Sequence, residues 1–165
     1  MIFLTIGTLH PFDRLVRTVD RLAGSGKLRE PVFGQIGFGD YCPEHIQARA
    51  VLEKKEFDEY MEQASLIISH AGMGSIITAI TLQKPMIVMP RLKKYREHVN
   101  DHQRDTALKF EELGIVLTAD TEEGLMEKVS LADSFRPARR DVRIETLTGR
   151  IAAFLNEIDC DNREK

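Results

Sequence analysis

The sequence predicts an α/β fold, a Rossmann-like parallel sheet with flanking helices. Short apolar runs alternate with longer stretches whose apolar residues recur at helical spacing, the signature of βαβ units. Two of those runs end in glycine-containing turns that lead into helices, where sheets of this kind bind their ligands.

Six strands are expected, at Ile2 to Ile6, Val32 to Ile36, a weaker one near Ala48 to Leu52, Leu66 to Ser69, Met86 to Met89, and Ile115 to Leu117. Between the first two, Phe12, Leu15, Val16, Val19 and Leu22 form one helical stripe that stops at Gly24-Ser25-Gly26. Helices are also expected over Glu56 to Ala64, Ser75 to Leu82 and Val99 to Leu113. Thr121 followed by Glu122 and Glu123 is a helix start. Ile144, Leu147, Ile151, Leu155 and Ile158 give the stripe of a closing helix. The expected organisation is a single domain over 1–158 and a polar tail over 159–165.

With 165 residues, 42% of them hydrophobic, the chain is long enough to bury a core without a disulfide or a metal. Cys42 and Cys160 form no CxxC pair, which fits a reducing, cytoplasmic compartment. The apolar start, Met1 to Gly7, reads as a first strand and not as a leader. No apolar run approaches the ~20 residues that span a bilayer, so membrane association is expected to be peripheral. The formal charge of −3 gives no global attraction to nucleic acid, and no nucleic-acid partner is expected.

Two turns look built to hold a phosphate. In Gly7-Thr8-Leu9-His10-Pro11 a strand ends in glycine and a proline lies near the start of the next helix. In Ser69-His70-Ala71-Gly72-Met73-Gly74-Ser75, two spaced glycines permit close backbone approach, and His70 and Ser75 offer donors at a helix start. Against both turns stands the plain reading of a tight βα connection, which weighs more on the Gly7 turn than on the His70 to Ser75 turn.

Other chemistries fit less well. Gly24-Ser25-Gly26-Lys27 ends like a Walker A loop but lacks its first glycine and its final Ser/Thr, and reads as a helix cap. Gly72-Met73-Gly74 lacks the third glycine of a dinucleotide fingerprint. His98 and His102 have i, i+4 spacing without a third zinc ligand. Asp159-Cys160-Asp161 is a DxD string in a polar tail. Arg91, Lys93, Lys94 and Arg96 form a charge run that reads equally as a solvated face or as a site for a diphosphate or anionic lipid. Arg136, Arg139, Arg140 and Arg143 read as surface or as a partner contact.

The order Thr5-Ile6-Gly7-Thr8, Gln35-Ile36-Gly37, Ile68 to Ser75, Lys84-Pro85 and Asn100-Asp101-His102-Gln103 resembles the C-terminal domain of family 28 glycosyltransferases over about Met1 to Leu117. The likeness includes the small subunits of two-subunit dolichol-diphosphate N-acetylglucosaminyltransferases and of bacterial exopolysaccharide and capsule enzymes. It implies the donor-binding half of a GT-B glycosyltransferase. The implied activity is inverting transfer from a UDP-sugar to a lipid-linked saccharide acceptor, without a metal or other cofactor. The acceptor would be held by a separate, membrane-associated partner subunit that keeps this chain at the cytoplasmic membrane face.

On that resemblance His70, Ala71, Gly72, Met73, Gly74 and Ser75 would line the diphosphate. Gln103, with Asp101 and His102 beside it, would contact the sugar. Gly7 and Thr8 would face the partner cleft, and Gln35 to Gly37 would lie near the uracil. Thr78 stands where relatives commonly carry a ribose-binding glutamate, and His102 where other UDP-sugar transferases often carry aspartate. His10 is the general-base candidate of the first loop. The alternative is a non-catalytic nucleotide-sugar-binding module of a polysaccharide assembly, and a ligand-free interaction protein is a third reading. Without its other half, the cleft wall is expected to favour a homodimer.

Overall fold

The computed structural model describes residues 1–138. Its elements are β1 (Ile2–Thr5), α1 (Asp13–Gly24), β2 (Val32–Gln35), β3 (Gln47–Arg49), α2 (Lys54–Gln63), β4 (Leu66–His70), α3 (Met73–Thr81), β5 (Met86–Met89), α4 (His102–Glu112), β6 (Leu117–Thr118) and α5 (Glu122–Ala132). The sheet is parallel throughout, in the order β3-β2-β1-β4-β5-β6. The chain therefore builds outward from β1 in one direction and, after β4, in the other. The crevice between the loops that leave β1 and β4 is the topological switch point, where open α/β sheets take their ligands.

Alternation along β1 divides the core between the two faces of the sheet. Ile2 and Leu4 join Phe12, Leu15, Val16, Val19 and Leu22 of the α1 segment and Leu125 of α5. Phe3 faces the opposite way with Met61, Ile76, Ala79 and Ala107 of α2, α3 and α4. Tyr60 stacks on Phe33 with ring centroids 4.1 Å apart and on Phe3 at 5.5 Å, seating α2 across β1 and β2.

The element order agrees with the sequence reading, and the differences lie at the ends. Helix α3 begins at Met73, two residues before the hydroxyl that suggested its start, because Gly72 supplies an extended N-cap backbone. Helix α4 starts at His102 and not at Val99, since Lys93–Tyr95 forms a 3-10 turn that Arg96 ends in the left-handed region (φ 58°). His98 is thereby in a loop, so the two histidines do not share a helix face. Strand β6 pairs at Leu117 and Thr118, later than expected. Thr121 caps α5 by accepting from Gly124 N–H at 3.1 Å. At the end of α1, Lys27 N–H reaches Leu22 C=O and Gly26 N–H reaches Ala23 C=O, with Gly26 at φ +69°. That is a Schellman cap and no phosphate loop. The expected closing helix over 144–158, Arg139, Arg140, Arg143, the DxD string and the polar tail lie outside the described residues.

Asp20 of α1 fastens the long β2–β3 connection. Its buried carboxylate accepts from Tyr41 Oη at 2.8 Å, Glu44 N–H at 3.1 Å and His45 N–H at 2.7 Å. Burial by itself would raise this carboxyl. The Glu44 and His45 N–H groups, the Tyr41 hydroxyl and the charge of His45 outweigh it and hold Asp20 below its ordinary value. A depressed carboxyl contributes stability above its unfolded pKa and loses it as the pH falls through the folded one. Asp20→Asn is expected to cost about 1–3 kcal/mol of unfolding free energy at neutral pH. Urea denaturation should show the gap to the parent closing as the pH drops below the carboxylate range.

Candidate functional site

Three loops meet at the carboxyl ends of the adjacent strands β1, β4 and β5. The register pairs Thr5 with Ser69 and Ser69 with Val88, which brings Gly7, His70 and Arg91 to the same edge of the sheet. The His70 imidazole occupies the space between two glycines. A Cβ on Gly72 would stand 2.1 Å from His70 Nε2, and one on Gly7, at φ +75°, 3.1 Å from Cε1. A side chain at Gly72 would displace the ring from this place, and at Gly7 the left-handed backbone favours glycine as well.

Burial depresses the His70 pKa to about 4. The nearby Arg91 cation adds to the effect, and the Thr5 backbone opposes it. The ring is therefore neutral at physiological pH, one nitrogen donating and one accepting.

Beside it, α3 begins without a side-chain cap. Its first intrahelical N–H is that of Ile76, bonded to Gly72 C=O. The first-turn N–H groups of Met73, Gly74 and Ser75 are thus free to meet an anion at the positive end of the helix. Among the described residues, apart from its chain neighbours and its own helix, nothing lies within 4 Å of where a Gly74 Cβ would stand, so the approach is open. On the surface one turn further, Thr78 Oγ1 donates to Gly74 C=O at 3.0 Å.

Arg91 ties the loops together. It is buried, and its Nη2 donates to Ile6 C=O and His10 C=O, both at 2.7 Å, with the guanidinium 5.0 Å over the Phe12 ring. Burial lowers its pKa to about 10 against the raising influence of Glu97, so it remains a cation at neutral pH. The reading of Arg91 as one of four equivalent charges is corrected here. Lys93, Lys94 and Arg96 are exposed, whereas Arg91 is interior.

Gln103 is also buried, with its Oε1 accepting from Arg91 N–H at 3.1 Å. Asp101 Oδ1 accepts from Lys93 N–H at 2.7 Å, and His102 Nδ1 bonds Asn100 Oδ1. Gln35 is buried with Oε1 on Leu52 N–H, and Gly37 at φ +61° packs behind Ile6. Thr8 and His10 are exposed in the β1–α1 loop, and the His10 ring lies 6.0 Å from that of His98. Among the described residues no group of three or more His, Cys, Asp or Glu is arranged to hold a metal ion.

With this geometry in place, comparison with known proteins is informative. The model of the glycosyltransferase family 28 C-terminal domain matches residues 1–147. The chain belongs to this family. The UDP-N-acetylglucosamine transferase subunit ALG13 of Saccharomyces cerevisiae is 31% identical over 136 residues, 76% of this chain and 64% of that protein. The chain thus spans just under two thirds of that relative's length. The NMR solution structure of ALG13 superposes with a TM-score of 0.62 at 22% identity, over 88% of this chain and 93% of that one. MurG of Acinetobacter baumannii does so with a TM-score of 0.53 at 20% identity, over 78% of this chain and 40% of that one. These likenesses establish the GT-B type of fold, of which the family 28 C-terminal domain is one half.

Two residues of the site escaped the sequence reading. Arg14 and Glu97 form a bidentate pair at 2.7 and 2.8 Å, and Arg14 also donates to Asp120 C=O and Pro90 C=O. They brace the β5–α4 loop against α1, and they are separated by 83 positions. Nothing local in the sequence joins them.

A histidine depressed on folding leaves stability unchanged above its unfolded pKa. Between the two values the unfolded chain takes up a proton that the folded chain refuses, so stability falls as the pH drops from 6.5 towards about 4. NMR titration of the ring should find His70 neutral at pH 6. Gly72→Ala, by driving the ring outward into water, is expected to return its pKa towards the ordinary value of 6.5.

Proposed function

We propose that this chain is the donor-binding, catalytic half of a two-component inverting glycosyltransferase. It takes a UDP-sugar and transfers the sugar to a lipid-diphosphate-linked saccharide presented by a separate acceptor-binding subunit at the membrane. The observation that carries this reading is the neutral His70 imidazole, held by Gly7 and Gly72 at the uncapped start of α3. Membership of family 28 supports it, as does the likeness to a chain named as a transferase subunit.

In the reaction the acceptor hydroxyl attacks the anomeric carbon and the bond from that carbon to the diphosphate oxygen breaks. The departing UDP carries the new negative charge. The N–H groups of Met73, Gly74 and Ser75 and an imidazole N–H of His70 stabilise that charge as it develops. These donors are fixed before the sugar moves. We assign the acceptor proton to His10, whose backbone Arg91 holds in place. Gln103 couples the sugar side of the site to Arg91 through the Arg91 N–H. UDP-N-acetylglucosamine, the donor named for the yeast relative, is the first sugar nucleotide to test.

Thermal unfolding with UDP, GDP, ADP and UDP-sugars is the direct assay. Saturation to 100-fold over Kd should raise Tm by about 5–10 °C for uridine ligands alone. His70→Ala should abolish most of that rise, and Gln103→Ala should erase any difference between UDP and its sugar conjugate. Equal stabilisation by the three nucleotides would sink the donor-site reading. Donor binding without turnover when the acceptor subunit is added would leave a binding module in place of an enzyme.

A further inference from the structure

The most exposed large apolar side chain among the described residues is Leu9, 87% exposed in the β1–α1 loop. Val99, 79% exposed, and Tyr95, 49% exposed, stand in the β5–α4 loop. Arg91 joins the two loops by holding His10 C=O, and the His10 and His98 rings approach to 6.0 Å. A cleft of about 460 Å³ between them is lined by His10, Lys93, Arg96, Glu97, His98 and Val99.

The same surface carries three exposed cations, Lys93, Lys94 and Arg96, and none has an ion-pair partner within 4.0 Å among the described residues. The acids of the loop hold Arg14 and the loop's own backbone, and neither forms an ion pair with these three cations. Glu97 is clasped by Arg14 and accepts from Leu92 N–H, and Asp101 receives Lys93 N–H. Tyr95 lies under Lys94, with Nζ 4.7 Å from the ring centre.

We infer that the tips of the β1–α1 and β5–α4 loops dock directly on an anionic lipid bilayer. Leu9 and Val99 enter the boundary between headgroups and acyl chains, and Lys93, Lys94 and Arg96 meet lipid phosphates. A bilayer surface satisfies both halves of this patch at once. A soluble diphosphate would use the cations and leave both aliphatic tips in water. The formal charge of the whole chain is −3, so the attraction is local to this face and orients the molecule. No described helix is long and apolar enough to cross a membrane, which makes the contact superficial. The inference goes beyond the donor-site reading and does not rest on it.

Sedimentation of the full chain with phosphatidylcholine vesicles, with and without phosphatidylserine, tests it. Binding is expected with the serine lipid and is lost in high salt. Neutralising each cation (Lys93→Gln, Lys94→Gln, Arg96→Gln) should weaken partitioning about fivefold, and all three together on the order of a hundredfold. Leu9→Ser/Val99→Ser should weaken binding with the cations intact. Unchanged thermal unfolding and unchanged stabilisation by UDP in these variants show that fold and donor site persist. Absent or lipid-indifferent binding overturns the proposal, and so does binding that survives the triple substitution. Loss of UDP stabilisation in the triple variant with vesicle binding intact assigns the cations to the donor and overturns it. Loss of association with an acceptor subunit, with no vesicle binding by the parent, assigns the patch to a protein and overturns it too.

Discussion

The functional end of this molecule depends on one buried guanidinium. Removing an arginine from water costs several kcal/mol unless its donors are satisfied. Arg91 recovers that cost through Ile6 C=O, His10 C=O and the face of Phe12, while its Nε has no acceptor among the described residues. The carbonyls it uses belong to a loop, where no sheet ladder would satisfy them. One side chain therefore fixes both the end of β1 and the start of the β5–α4 loop. Arg14 and Glu97 form a second tie behind it, reaching Pro90 and Asp120. The loops that carry the candidate site are consequently parts of one hydrogen-bonded frame.

That frame explains why the histidine is neutral. An imidazole that faces an anion could be expected to carry charge, but His70 is buried and lies near a cation that cannot be removed at neutral pH. Positive potential at the site then comes from Arg91 and the start of α3, neither of which titrates near pH 7. His70 contributes directed hydrogen bonding. Its ring must sit close to the backbone to do this, and the absence of side chains at Gly7 and Gly72 is what admits it. Gly7 and Gly72 thus serve the histidine first and any ligand second, whereas Gly74 leaves the approach open.

Much of this was legible in the sequence because it is local. The strand runs, the α1 stripe, the Thr121 cap and the His70 to Ser75 turn are each determined by residues a few positions apart. The strand order 3-2-1-4-5-6 was not spelled out by any run, although parallel pairing with helical crossovers restricts it strongly. What stayed hidden was long-range polar pairing. Arg91 sits in a run of basic residues, and composition alone gives no means of separating the one interior member from three solvated ones. Asp20 lies outside the apolar stripe of α1, and nothing near it in sequence shows that it receives three donors from a loop more than twenty residues away. Gln35 and Gln103 were singled out as ligand contacts by resemblance, and the geometry gives each a framework bond as well.

The separation between interior and surface within the β5–α4 loop has a consequence for how the chain can work. Arg91, Glu97 and Gln103 face inward and set the loop's shape, while Lys93, Lys94, Tyr95 and Val99 are its outer surface. Contact at the outside of this loop reaches the candidate site through very few bonds, since Lys93 N–H is held by Asp101 at the start of α4 and Gln103 holds Arg91 two residues earlier. A surface that grips the loop tips would hold the same backbone that carries Arg91 and, through His10 C=O, the β1 loop. Docking and donor binding would then draw on one rigid unit, so that orientation against a partner or bilayer and orientation of the donor are fixed by the same hydrogen bonds.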